Sequence, residues 1–361
     1  MAYTTIDDSE KYFQVKAYTG NGTAIGSGGL AVTLDGETDL APAMVWIKSL
    51  SSAEEHMLFD VTRGVTKALK PSTTDDEATG SEFLTAFGSD GFTLGNQDKV
   101  NANTVTYVAW CWKGGTTSGI TTTGADITPS SYSFDHDART SIAAYTGNGS
   151  SGAKIAHGLG AIPEVMIIKP RDRDGQAWVT YHHKNTAAPE TDYLAIDAVD
   201  VTADAAWPWN DAAPTSVYLE TQSNNGTNAS SSTFVMYTFK GVQGFSKFGS
   251  YVGNGSTNGP VVWTGFRPAL VIAKRTDTAG GWYMWDTKRP GYNVENGYVQ
   301  ADSASAEDTN SGNFGFDFLA TGFKLRGSYA TVNASGGTYM YMAWAHSSYV
   351  NSNGVPNTVH G

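Results

Sequence analysis

The string Tyr18-Thr19-Gly20-Asn21-Gly22 returns as Tyr145-Thr146-Gly147-Asn148-Gly149, and again as Tyr251-Val252-Gly253-Asn254-Gly255. A second anchor follows each copy: Pro42 to Lys48 (PAMVWIK), Pro163 to Lys169 (PEVMIIK) and Pro268 to Lys274 (PALVIAK). A third closes each copy, with Thr106 to Trp110, Thr233 to Tyr237 and Met340 to Trp344 read as equivalents. Three anchors in one order, three times over, demand a thrice-duplicated unit of roughly one hundred residues.

Each anchor has a local reading. Gly-Asn-Gly tolerates the positive φ of a tight hairpin turn. A Pro opens a strand where its missing N–H breaks no ladder. The runs behind each Pro are apolar on both faces, as doubly covered strands are. Lys48, Lys169 and Lys274 then read as exits into solvent. With 41 Gly, 12% aromatic residues and only 16% charged ones, the chain suits short strands and tight turns. The expected fold is all-β, with three tandem β-sandwich modules of jelly-roll or lectin-like type. They fall at 14–113, 141–240 and 247–346. An N-terminal segment 1–13 is a candidate docking piece, and 347–361 is a loose polar tail. A Gly/Ser/Thr-rich linker, 114–140, leaves the first two modules free to move, whereas the short connector 241–246 makes the last two abut.

Inside the modules, Asp60-Val-Thr-Arg63-Gly64 resembles Asp286-Thr-Lys-Arg289-Pro-Gly291, and Gly91-Phe-Thr-Leu94 resembles Gly322-Phe-Lys-Leu325. Asn101 and Asn333 follow these, and the middle copy has lost the features. Stretches 71–82 and 301–313 read as surface loops, with a helical turn near Glu82 to Phe87.

A net charge of −12 disfavours a phosphate-tracking surface, and hence nucleic acid. The single Cys111 excludes an intrachain disulfide and reads as a small buried hydrophobe. No signal peptide or membrane span is visible, which points to folding in a reducing cytoplasm.

Phosphate-loop, dinucleotide, zinc-protease and nucleophile-elbow motifs are all missing, so the chain reads as no enzyme, with no cofactor. His182 and His183 point to opposite faces of a strand and cannot share a metal. His157 reads as a turn stabiliser. Asp60 and Asp286 are the repeated acids that glycoside hydrolysis would need, but each has an Arg three residues on, which favours a structural ion pair. Spaced acids at Asp172-Arg-Asp174 and Asp35 to Asp39 match no calcium loop, and no metal site is assigned. Trp46, Trp110, Trp178, Trp282 and Trp344 read as core. Trp112, Trp207, Trp209 and Trp285 are the surface candidates for receptor or glycan contact.

The opening Ala2-Tyr-Thr-Thr-Ile-Asp7 with Tyr12-Phe13, the Tyr-Thr-Gly-Asn-Gly string, Val45-Trp46-Ile47-Lys48-Ser49, Tyr107-Val-Ala-Trp110, Ser246-Lys-Phe-Gly-Ser-Tyr251 and Asn353-Gly-Val-Pro356 together resemble a group of repetitive tailed-phage proteins, mostly marine. That resemblance covers nearly the whole chain. It implies a virion component, a tail fibre or similar appendage in host-surface attachment, and it carries over no catalytic residues. A capsid-attached decoration or head fibre is the alternative within that class. A polysaccharide-depolymerising spike and a host-encoded lectin-like module are the alternatives outside it. Partners implied are other virion proteins, a second and third copy (a trimer, by analogy), and a host surface glycan or protein. The low charge adds an argument for oligomers, because isolated modules would leave apolar surface uncovered.

Overall fold

Alternation along each strand decides which of two cores a side chain enters. The computed structural model describes residues 4–289, 292–309, 312–346, 349–350 and 356–357. In repeat 1 the strands are β1 (Phe13–Thr19), β2 (Leu30–Thr33), β3 (Pro42–Ser49), β4 (Met57–Asp60) and β5 (Lys67–Ala68). They continue with β6 (Ala78–Thr79), β7 (Leu84–Gly88), β8 (Gly91–Leu94) and β9 (Thr106–Lys113). Repeat 2 holds β10 (Ser131–Asp135), β11 (Thr140–Thr146), β12 (Ala153–Ala156), β13 (Val165–Pro170) and β14 (Val179–His182). After these come β15 (Asp192–Ala195), β16 (Ala203–Asp204), β17 (Tyr218–Thr221) and β18 (Thr233–Phe239). Repeat 3 holds β19 (Ser246–Val252), β20 (Val261–Trp263), β21 (Pro268–Arg275), β22 (Trp282–Asp286) and β23 (Val299–Gln300). It closes with β24 (Phe316–Leu319), β25 (Gly322–Leu325) and β26 (Thr338–Ala345).

The large sheets run β1-β9-β3-β4, β11-β18-β13-β14 and β19-β26-β21-β22, one strand order three times, all antiparallel. Smaller sheets, β2-β8-β7, β12-β17 and β20-β25-β24, lie against them. The chain is therefore all-β.

In repeat 1, Val45, Ile47, Phe59, Tyr107 and Cys111 meet Val32, Phe92 and Leu94 of the small sheet. The alternate residues Met44, Trp46, Leu58, Val108, Trp110 and Trp112 point the other way, into a second core. Ile167, Val235, Tyr237 and Phe239 of repeat 2 and Ile272, Met342 and Trp344 of repeat 3 enter that same core. The three large sheets thus back onto one another around an approximate threefold axis. Trp112, Phe239 and Trp344, each paired with the first residue of its repeat's opening strand, meet there. Trp112 is edge-on to Trp344 at 5.3 Å, and Phe239 is edge-on to Trp344 at 5.6 Å. A small apolar void of about 30 Å³ on this axis has room for no more than a water-sized body.

This pairing corrects the closing anchor of repeat 3. Thr106, Thr233 and Thr338 occupy the same register, opposite Thr19, Thr146 and Val252. Trp344 is therefore the counterpart of Trp112, and Met342 that of Trp110. A two-residue slip keeps the face of a strand, so alternation alone does not reveal it. Nor has the middle copy lost its Asn. Asn228 Oδ1 accepts from Asn148 N at 2.9 Å, as Asn101 does from Asn21 N and Asn333 from Asn254 N, each at 2.8 Å. The Gly-Asn-Gly strings are not hairpin turns, since the opening strands pair with the closing ones. Gly22, Gly149 and Gly255 do take positive φ (64, 70 and 69°). Gly20, Gly147 and Gly253 are needed for a different reason: a Cβ would sit 2.2–2.3 Å from the carbonyls of Ala102, Ala229 and Ala334.

Four further expectations change. The stretch near Glu82 to Phe87 is not helical; Leu84–Gly88 pairs with Gly91–Leu94, and a helical turn lies at Asp98–Asn101. Segment 114–140 is no free linker, because Thr116 pairs with Phe134, Ile127 pairs with Ile155, and Ser131–Asp135 extends the second large sheet. Of segment 1–13, Ile6 is buried and Ser9 Oγ donates to His346 O at 2.6 Å. The apolar faces expected to require other chains cover one another within this one. The tail lies outside the described residues, except for the pairing of Tyr349–Val350 with Pro356–Asn357.

Candidate functional site

The repeated charged residues are buried between repeats. Lys48, Lys169 and Lys274, expected at solvent exits, are 0%, 0% and 1% exposed. Each occupies the axis-facing parity of its strand and donates into a neighbouring repeat. Lys48 Nζ reaches Ala304 O at 3.1 Å, Lys169 Nζ reaches Thr74 O at 2.8 Å, and Lys274 Nζ reaches Asp200 O at 2.8 Å. Burial pulls all three ammonium groups down to about 8. Opposite each Lys stands a ring N–H serving the same interface. His56 Nε2 lies 2.9 Å from Gln300 O, Trp178 Nε1 3.0 Å from Lys70 O, and Trp282 Nε1 2.9 Å from Ala195 O. Trp46 Nε1 donates to His56 Nδ1, which leaves the proton on Nε2. Repeat 1 thus reaches repeat 3, repeat 3 reaches repeat 2, and repeat 2 reaches repeat 1, closing a ring.

The candidate acids close the same interfaces. Asp60 is fully buried. Arg63 Nε donates to its Oδ2 at 2.6 Å, and Tyr237 Oη of repeat 2 donates at 2.7 Å. Burial alone would raise its carboxyl, but Arg63, Thr62 and Tyr237 hold it below the usual range. Asp286 accepts from Arg289 Nε at 2.8 Å and from Trp110 Nε1 of repeat 1 at 3.2 Å. Structural ion pairs were expected here; their reach across repeats was not. In repeat 2 the same strand end carries His182, buried, whose Nδ1 accepts from Lys184 N and whose Nε2 donates to Tyr341 O at 3.1 Å. His157 likewise accepts from Leu159 N and donates to Thr215 O, a turn stabiliser as expected. Asp35 pairs with Lys16 and Lys288, and Asp172 accepts from Thr233 N. Among the described residues no His/Cys/Asp/Glu cluster fit for a metal occurs.

Three of the four surface Trp candidates are internal. Trp112, Trp209 and Trp285 are 2%, 1% and 0% exposed. Trp112 has axis-facing parity, Trp209 Nε1 donates to Asp192 O at 3.0 Å, and Trp285 stacks on Phe316 at 4.7 Å. Trp207 is half-buried against Tyr193. The exposed indole is one that sequence reasoning passed over, Trp263, at 60%.

Trp263 borders a groove of about 740 Å³ where edge strands β19 and β20 part. The second residue of each opening strand ties this gap. In repeat 2 the short Ser141 Oγ reaches His157 O at 2.6 Å, and in repeat 1 Gln14 grips Gly36 N and Thr38 O. In repeat 3 the tie is Lys247, whose Nζ meets Trp263 O at 2.6 Å across the length of its side chain. The gap is as wide as its tie is long. On the floor, the Tyr341 hydroxyl would stand 2.6 Å from any Cβ at residue 249, so only Gly249 fits beneath it. Repeats 1 and 2 carry Lys16 and Ala143 there, opposite Ala109 and Met236. His183 Nε2 lies 2.9 Å from Phe248 O along one wall, and Lys184 lies exposed beside it.

These features define an all-β protein whose three repeats close into one ring, with an open groove of about 740 Å³ at the edge of repeat 3. The model of a family described as a domain of unknown function (DUF7483) matches residues 8–348, and the chain belongs to that family. One family unit therefore spans all three repeats. No curated protein and no solved structure matches the chain.

Proposed function

We propose that this chain is a non-catalytic structural protein of a tailed-phage virion, a tail fibre or similar appendage working in host-surface attachment. The observation that carries the reading is the fate of the repeated charges. Lys48, Lys169, Lys274 and the Asp60–Arg63 and Asp286–Arg289 pairs all lie buried in contacts between repeats. A hydrolase needs its acids in a cleft beside the scissile bond, whereas Asp60 and Asp286 are shut away and already paired. Likeness to phage appendage proteins in the strings quoted above supplies the setting. A rigid block that presents exposed loops at its rim is the division of labour expected of an attachment protein. Immunogold electron microscopy of purified particles tests this. Label on the tail supports it, label on the capsid favours the decoration reading, and particles without the chain overturn it. A clear zone around purified protein on a host lawn would favour a depolymerase instead.

A further inference from the structure

The open groove of repeat 3 differs from its two counterparts in ways that favour a ligand. We propose that it binds an acidic saccharide, with the Trp263 indole as stacking platform and Lys184 as partner of the sugar's carboxylate. This rests on the reading of the chain as a host-surface protein.

Size is the first argument, since about 740 Å³ lies within the range of clefts that take small ligands. Charge is the second. The whole chain carries −12, yet the groove is lined by Lys184, Lys247 and one acid, Glu164. That acid is already held by Lys240 Nζ at 3.2 Å and Gly241 N at 3.0 Å, whereas Lys184 has no ion pair among the described residues. A solvent-exposed, unpaired ammonium in a locally positive cleft selects an anion. The third argument is surface chemistry. Trp263 offers an apolar face beside the polar side chains of Gln243 and Ser250, and a pyranose presents C–H bonds on one face and hydroxyls at its rim.

The chemistry also disfavours other occupants. A peptide strand adding to β19 would need that strand's outward carbonyls. Ser246 O already accepts from Val242 N at 3.1 Å, and Phe248 O is engaged by His183. A nucleic acid would need a longer track of cations than two lysines.

The test uses the full chain titrated with uronate- and sialate-bearing oligosaccharides and with neutral malto-oligosaccharides, followed by calorimetry. Wild type is expected to bind an acidic probe and to lose affinity in 1 M salt, where screening reaches about 3 Å. Trp263→Ala should weaken binding by about tenfold or more, and Lys184→Gln should weaken acidic probes only, by several-fold. Both positions are solvent-exposed, so an unchanged melting temperature shows that folding is intact. Binding of no acidic probe, or undiminished binding by Trp263→Ala, overturns the proposal. So does a change of molecular mass in Trp263→Ala without any glycan effect, which would assign the groove to a second copy. Particle labelling tests the virion reading independently, so either can fail alone.

Discussion

The strand end at Asp60 in repeat 1 and its counterpart at His182 in repeat 2 solve one problem with opposite chemistry. Asp60 meets a donor from the next repeat, the hydroxyl of Tyr237. His182 meets repeat 3, whose residue in Tyr237's register is Met342, which donates nothing. There a carboxylate would lack its cross-repeat partner, and a neutral imidazole donates to the Tyr341 carbonyl instead. Repeat 3 restores the acid, Asp286, because repeat 1 presents the indole N–H of Trp110. Each corner is thus chosen by the neighbour it faces. The divergence of the middle copy is a matched exchange at an interface.

Breaking the charged corner should have the largest effect. Asp60→Ala removes the nearer of buried Arg63's two carboxylates, leaving Glu77 at 3.3 Å, and should cost about 3–5 kcal/mol in urea unfolding. His182→Ala, which removes neutral hydrogen bonds, should cost clearly less, about 1–3 kcal/mol. Equal losses would sink the comparison. Building the missing corner should sharpen it. His182→Asp with Asn185→Arg, combined with Met342→Tyr, should be more stable than the sum of its parts by a coupling of about 0.5–3 kcal/mol. Additivity within error would mean that the corners are independent of their neighbours. Tyr237→Phe removes the cross-repeat donor alone, with an expected loss of about 0.5–1.5 kcal/mol, and it should leave Asp286→Asn unaffected.

The smallest contrast lies in pH dependence. Burial, with smaller repulsion from His183 and Lys184, pulls His182 down to about 3, so the unfolded chain binds its proton first. Stability from this residue is full above an unfolded pKa of about 6.5 and falls as pH drops toward 3, by at most about 1.4 kcal/mol per unit. Asp60 is depressed as well; its contribution is present above an unfolded pKa of about 3.9 and is lost only below that. Replacing His182 with Gln should therefore reduce the slope of the stability profile between about pH 6 and 4.5, where the depressed His56 and His157 supply the remainder, and leave the steeper acid limb in place. An unchanged slope in that window would exclude His182 as one of its sources.

The repeats, most strands and the Asp–Arg pairing were legible because each is local in sequence. What lay beyond it was the partner of each second face. Residues 42–48 are apolar on both faces, and period-two alternation does not say whether the second face meets another sheet of the same repeat or of a different one. Lys48, Lys169 and Lys274 held a usable signal, sharing parity with Trp46, Ile167 and Ile272 on the axis-facing side. Read as strand ends, they were sent to solvent instead. The groove was illegible for a related reason. It depends on the length of one tie, Lys247 against Gln14 and Ser141, and on a Tyr341–Gly249 pair distant in sequence. The misjudged Trp112, Trp209 and Trp285 are a reminder that a large aromatic ring is by default buried.

The lysine contacts between repeats run in one rotational sense, and the seam that closes the ring joins the two outermost repeats, through Lys48 to Ala304 and Ser9 to His346. A ribosome making this protein therefore cannot finish the core progressively. After two repeats have emerged only one of three seams can form, and the apolar faces of both stay open to whatever else is nearby. Truncated products should be sticky and short-lived, and the complete chain should unfold as a single cooperative block.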